Sequence, residues 1–88
     1  MIFRSLASSS KGNAYIVTDG EATILLECGL PYKKLEKLSG HTLTSLSACC
    51  ITHEHKDHSQ AADPLIRHGV PVYMSYKTAV ALDLPDAE

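Results

Sequence analysis

The chain has 88 residues, of which 44% are hydrophobic and 20% charged, as is ordinary for one small soluble globular domain. A formal net charge of −2 without a basic run argues against a protein that coats nucleic acid nonspecifically. No stretch approaches the ~20 apolar residues of a membrane span, and the polar residues after the first few exclude a signal peptide.

The first third of the chain predicts a three-stranded meander. Apolar and β-branched runs predict strands over residues 2–7, 14–18 and 22–26. Residues 8–13 are rich in serine and predict a turn. Asp19-Gly20 is a strong signal for a second hairpin turn.

A helix is predicted next, because Pro31 suits a first helical turn and Gly40 a C-terminal cap. Residues 48–52 are apolar on both faces and predict a central, covered strand. The helix expected after His58 contains Asp63-Pro64, which predicts a kink or a restart with Asp63 as the new cap.

Residues 70–74 predict a last strand, and Ser75 is placed to cap a last helix. The predicted order is therefore β-β-β-α-β-α-β-α, which suits an α/β layered fold. Cys28, Cys49 and Cys50 lie in apolar runs without C-x-x-C spacing, so we expect reduced core thiols in a cytoplasmic protein.

Residues 51–58 read Ile-Thr-His-Glu-His-Lys-Asp-His, directly after the predicted central strand. His53 and His55 lie two residues apart at its end, so their rings should point the same way and bind one divalent ion. Asp57 and His58 follow a turn and can bind a second ion beside the first. Zinc is the expected metal, and manganese or iron also suits this donor set. The alternative for Asp57 is a helix N-cap.

This motif resembles the signature Thr-His-x-His-x-Asp-His of the metallo-β-lactamase-fold hydrolases, matched without gaps from Thr52 to His58. The resemblance implies the N-terminal half of an αββα sandwich, so residues 1–88 are expected to be a single partial domain lacking its C-terminal half. The family takes a further histidine, a bridging aspartate and a final histidine from that half. Each metal would otherwise have two protein ligands, where about three are usual.

Residues 5–15, Ser-Leu-Ala-Ser-Ser-Ser-Lys-Gly-Asn-Ala-Tyr, resemble a bacterial and phage branch grouped with cyclic-phosphate phosphodiesterases and exonuclease-like enzymes. This resemblance implies hydrolysis of phosphoesters, including nucleic acid, by a metal-activated hydroxide that the catalytic Asp57 holds. Ser9, Ser10 and Asn13 are candidate contacts to a substrate phosphate, and an ordinary polar turn is the alternative.

Glu27 stands where the family usually has the aspartate of a strand-end Asp-x-Gly. A carboxylate there can brace a ligand histidine, together with Thr52 of the motif, and simple solvent exposure is the alternative. His41 and His68 have no partners in sequence and are expected on the surface.

Two other functions remain open at this point. The chain can be an inactive remnant that binds metal weakly or not at all. It can also be a small interaction module that pairs an exposed sheet edge with a partner or with a second copy of itself. Stoichiometric metal in a self-associated chain would instead indicate a site completed across a dimer.

Overall fold

The computed structural model describes residues 1–84, which form a single mixed sheet with helices. Five strands lie in sequence order across the sheet. The first three strands pair antiparallel, and the third, fourth and fifth pair parallel. The strands are β1 (Ile2–Ser9), β2 (Gly12–Thr18), β3 (Thr23–Leu26), β4 (Ala48–Cys50) and β5 (Val72–Tyr73).

Helices connect the parallel strands, as parallel pairing requires a crossover. Within residues 1–84 no helix is long and apolar enough to cross a membrane. The helices are α1 (Tyr32–Leu38), α2 (Lys56–Ser59), α3 (Ala62–Arg67) and α4 (Tyr76–Leu82), and a short 3₁₀ turn covers Leu43–Ser45.

The two hairpins differ from their predicted lengths in opposite directions. The predicted turn at residues 8–13 shrinks to residues 10 and 11, because the strands continue pairing to Ser9 and Gly12. The turn at Asp19-Gly20 is instead a four-residue loop, since Thr18 pairs with Thr23. Backbone hydrogen bonds from the amides of Ala22 and Glu21 hold the pKa of the Asp19 carboxyl below its usual value.

The helices follow the predicted punctuation with one correction. Pro31 and Gly40 flank α1, and Gly40 has the positive φ of 75° that a glycine after a helix commonly adopts. The segment after His58 does restart, but α3 begins at Ala62 and Ala61 caps it, so the prediction of Asp63 as the cap was wrong. Pro64 is tolerated because it lies in the first turn, where backbone N–H groups have no helical acceptor.

The core lies on one face of the sheet. Ile16, Leu25, Cys49 and Val72 are register neighbours on β2 to β5, so they form one buried row beneath the helices. Because side chains alternate along a strand, the residues flanking this row face the opposite side. That side is only half-buried, so the prediction that β4 is covered on both faces was wrong.

Candidate metal centre

Three imidazole rings meet in the segment that follows β4, which consists of a loop and the start of α2. The ring centroids of His53 and His58 lie 4.1 Å apart, and those of His53 and His55 lie 4.6 Å apart in an edge-to-face arrangement. His53 and His58 are half-buried, whereas His55 is exposed at the residue before α2. His58, which follows the turn, therefore lies beside His53 from the strand end.

Asp57 lies in the first turn of α2, and its side chain faces the same cluster. Its Oδ2 atom is 3.4 Å from Nε2 of His58. The residue preceding α2 is His55, so the alternative role of Asp57 as the helix N-cap was wrong. Two potential ligand atoms thus lie side by side, an arrangement that suits a cation bound beside them.

Asn13 of β2 reaches this pair from the first hairpin. Its side-chain nitrogen donates to the Asp57 backbone oxygen at 3.1 Å and lies 3.4 Å from both Asp57 Oδ2 and His58 Nε2. The same nitrogen donates to the Ser9 backbone oxygen at 3.0 Å. Asn13 therefore connects the tip of the β1–β2 hairpin to the candidate ligands, even though 44 residues separate Asn13 from Asp57.

The other predicted substrate contacts lie farther along this hairpin. The Ser9 hydroxyl accepts a hydrogen bond from the Lys11 amide at 3.1 Å, so it is used within its own turn. Ser10 is exposed at the turn. Of the three residues, Asn13 is the one that the described contacts place against the histidine cluster.

Glu27 is buried, with 6% of its surface exposed, so the alternative of simple solvent exposure was wrong. It follows β3 directly and has a left-handed backbone, with φ of 66°. Oε1 accepts from the Thr52 amide at 2.7 Å, and Oε2 accepts from the Thr52 hydroxyl at 2.8 Å. Oε2 also contacts Nδ1 of His58. These contacts agree with the predicted bracing of a histidine by a strand-end carboxylate.

Glu27, His53 and His58 also offer ligand atoms that all lie within 4.8 Å of one another. The hydrogen bonds from Thr52 and the contact with His58 already use three of the roughly four lone-pair sites of the Glu27 carboxylate. Because both of its oxygens are already hydrogen-bonded, we favour the supporting role for Glu27.

Gly29 was not singled out from the sequence as a site residue, yet it allows the site to form. A Cβ atom on Gly29 would lie 1.7 Å from the Asp57 backbone oxygen. The Gly29 amide donates to the Asn13 backbone oxygen at 2.9 Å, and the neighbouring Cys28 amide donates to the His58 backbone oxygen at 2.8 Å. The signal that would have found it is its position two residues after Glu27, at the end of β3.

The donor set fits a divalent cation. Imidazole nitrogens and a carboxylate oxygen converge from the loop after β4 and from α2, and a buried carboxylate contacts one of the rings. Such an arrangement can hold a metal and a water molecule near an electrophile. Imidazole and carboxylate donors suit several divalent ions, so the donor types alone do not select one.

Comparisons with known proteins identify the family. The family profile described as "Metallo-beta-lactamase superfamily" matches residues 9–88. The chain is 34% identical over 82 residues to proteins named "Exodeoxyribonuclease WalJ" from two Streptococcus pneumoniae strains, D39 and R6. The match covers 89% of this chain and 30% of each relative, so the chain spans about a third of the relatives' length.

Solved structures show the same fold. A metallo-beta-lactamase from Pontibacter korlensis superposes with a TM-score of 0.68 at 22% identity, over 99% of this chain and 50% of that one. A structure described as "Peroxy diiron species of chemotaxis sensor ODP" gives a TM-score of 0.73 at 17% identity, over 96% of this chain and 37% of that one. The predicted α/β architecture is thereby confirmed as part of the metallo-β-lactamase fold.

Proposed function

Because the chain belongs to the metallo-β-lactamase superfamily, whose members include metal-dependent hydrolases, we propose that it contributes ligands to a metal-dependent phosphodiesterase site. His53 and His55 bind one divalent ion in this proposal, and Asp57 and His58 bind a second. The observation that carries it is the convergence of the three rings and Asp57 Oδ2 from the loop after β4 and from α2.

Bound divalent ions would supply a hydroxide at neutral pH and polarise the phosphoryl oxygens of a substrate. Zinc is the first choice for a histidine-rich donor set, and manganese or iron also suits it. One structural neighbour is described as a diiron species. That iron belongs to the neighbour, and for this reason iron stays among the candidate metals for this chain. Asp57 would orient the attacking water through Oδ2, while its backbone is held by Asn13.

A phosphodiester is proposed as the substrate because the relatives are named exodeoxyribonucleases. The β1–β2 hairpin supports this proposal, since Asn13 places an amide donor beside the candidate ligands. Ser9 and Ser10, near the tip of the same hairpin, are proposed as further contacts to a substrate phosphate. β-Lactams, lactones and thioesters are cleaved with the same metal motif and serve as comparison substrates.

The three cysteines, Cys28, Cys49 and Cys50, are all free in the structure. Free thiols are typical of a reducing compartment, which supports a cytoplasmic location for this hydrolase.

The first test is the metal content of the purified chain, measured by elemental mass spectrometry alongside its solution mass. We expect about one or two ions per chain in the parent, as a two-metal site would hold. The double variant His53→Ala/His55→Ala should lose most of this metal. The matched control is His41→Ala/His68→Ala, which also removes two imidazoles but from an ion pair with Glu36 and a stack on Tyr32.

Equal metal in the parent and the His53→Ala/His55→Ala variant would contradict the assigned ligands. No metal in either would favour the inactive remnant. If metal is present, hydrolysis of single-stranded DNA and of an activated phosphodiester should exceed hydrolysis of a β-lactam, and both activities should disappear with a chelator. Faster turnover of the β-lactam would reject the proposed substrate class.

A further inference from the structure

Glu27 contacts one histidine of the cluster directly and is connected to a second one through Thr52. The direct contact joins Glu27 Oε2 to Nδ1 of His58. The connection is made by the Thr52 hydroxyl, which lies 2.8 Å from Glu27 Oε2 and 2.8 Å from His53 Nδ1. A single buried carboxylate is therefore connected to two candidate ligands from different parts of the motif.

The hydrogens in this chain of contacts can be placed from donor and acceptor chemistry. An ionised carboxylate only accepts hydrogen bonds, so the single hydrogen of the Thr52 hydroxyl must point to Glu27. The lone pairs of the same hydroxyl oxygen then face His53, and Nδ1 of His53 must carry the hydrogen at their 2.8 Å contact. The opposite arrangement would leave the hydroxyl oxygen and the carboxylate oxygen facing each other at 2.8 Å without a hydrogen.

The same reasoning places the hydrogen of His58 on Nδ1, because this nitrogen contacts Glu27 Oε2. Nε2 of His58 lies 3.4 Å from both the Asn13 amide nitrogen and Asp57 Oδ2. The two amide hydrogens of Asn13 are donated to the Ser9 and Asp57 backbone oxygens, so the contact with Glu27 carries this assignment. The Asn13 amide orientation is itself supported by the Tyr15 hydroxyl, which donates to Asn13 Oδ1 at 3.2 Å.

We propose that Glu27 is a positioning residue that sets the tautomers of two ligands, His58 by direct contact and His53 through the Thr52 hydroxyl. Both rings then present an unprotonated Nε2 to the metals. This inference rests on the proposed metal site. It adds that His53, a proposed ligand of the first ion, and His58, a proposed ligand of the second, are oriented by the same buried carboxylate. Supporting groups of this kind typically change metal affinity by roughly 10–100-fold when they are altered.

The test uses the metal-free chain, so it does not depend on hydrolysis. Long-range ¹H–¹⁵N NMR spectra, recorded near pH 8.5 where imidazoles are ordinarily neutral, report which ring nitrogen carries the hydrogen. We expect Nδ1–H for His53 and His58 in the parent. Glu27→Gln places an amide NH₂ where Oε2 was, which should donate to the Thr52 oxygen and to His58 Nδ1. Both rings should then move their hydrogen to Nε2.

Variants of Thr52 test the route to His53 separately from the direct contact with His58. They remain informative if Glu27→Gln fails to fold. Thr52→Val is close in shape but lacks the hydroxyl, so it should release the His53 tautomer and leave His58 as Nδ1–H. Thr52→Ser keeps the hydroxyl and should restore the parent spectrum. His58 changing together with His53 in Thr52→Val would overturn the separate routes, and unchanged tautomers in a folded Glu27→Gln would overturn the proposal.

Zn²⁺ titration of the same proteins distinguishes this inference from the proposed function. We expect the Kd to rise about 10–100-fold in Glu27→Gln and less in Thr52→Val. The expected tautomers without any Zn²⁺ binding would reject the metal site while supporting the hydrogen-bond assignment. Tight Zn²⁺ binding with unchanged affinity in Glu27→Gln would reject the positioning role and leave the metal site standing.

Discussion

Two residues at the end of β3 show that the candidate site depends on backbone conformation as well as on its ligands. Glu27 has a left-handed φ of 66°, which costs an L-residue about 1–2 kcal/mol. Gly29 lies against the Asp57 carbonyl, where a Cβ would not fit. Hydrogen bonds from Thr52 to Glu27 and from Gly29 to Asn13 hold this turn in place.

At this scale we predict that Gly29→Ala lowers both stability and metal binding. The new Cβ would lie 1.7 Å from the Asp57 oxygen and 2.1 Å from its carbonyl carbon, so the backbone carrying two candidate ligands must move. The free energy of unfolding in urea should fall by more than about 2 kcal/mol, toward the upper end of overpacking effects. Zn²⁺ affinity should fall with it.

The matched control is Gly20→Ala in the β2–β3 loop. Gly20 has a positive φ of 95°, but a Cβ added to it would meet no atom within 4 Å, so only backbone strain of about 1 kcal/mol is expected. Zn²⁺ binding should be unchanged in this variant. Equal losses of stability and affinity in the two alanine variants would contradict the role given to Gly29.

At the scale of one element, β4 shows how a strand divides neighbouring residues between two environments. Cys49 is fully buried in the core row, and Cys50 on the opposite face is half-buried. A hydrogen bond with the Cys28 thiol, reinforced by burial, raises the pKa of Cys49 well above the ordinary thiol value. Since the thiolate is the reactive form, Cys49 should be inert in the folded chain.

We predict that iodoacetamide at about pH 8 modifies Cys50 first, whereas Cys28 and Cys49 react only after unfolding in urea. Peptide mass spectrometry over time gives the rate for each position. Cys50→Ser should therefore remove most of the fast labelling, and Cys49→Ser should leave it unchanged. Fast labelling of Cys49 in the native chain would contradict the burial of Cys49 in β4.

At the scale of the whole molecule, the sheet has an apolar face that the helices do not cover. This face lies opposite the buried row, and its members follow from the strand register. Phe3 and Tyr73 on it are 62% and 44% exposed, and Phe3 stacks on Tyr15 at 5.6 Å. The remaining half-buried apolar members are Val17, Ile24, Leu26, Ala48 and Cys50. Large exposed apolar surfaces of this kind promote association.

We predict that the 88-residue chain self-associates through this face. Its weight-average mass by sedimentation should exceed that of a monomer at about 100 µM, because association removes apolar surface from water. Phe3→Lys/Tyr73→Lys should shift the chain toward monomer. The control is Val80→Lys, since Val80 is 60% exposed but lies on α4. A monomeric parent would exclude self-association, including a site completed across a dimer.

Local patterns in the sequence were enough to predict the family, the element order and the candidate ligands. These patterns are the unbroken match from Thr52 to His58, the apolar run before it, and punctuation such as Pro31, Gly40 and the Ser75 cap of α4. They suffice because strand ends, helix ends and closely spaced ligands are set by the conformation of adjacent residues.

The meeting of distant residues at the site became visible only in the folded chain. Glu27 lies 25 residues from Thr52, and Asn13 lies 44 from Asp57, yet each pair is hydrogen-bonded. Their contacts arise because β3 pairs with both β2 and β4, which brings the first hairpin and the histidine-rich segment after β4 to one region of the sheet. No spacing in the chain encodes such pairing, since strand register depends on packing across the whole sheet.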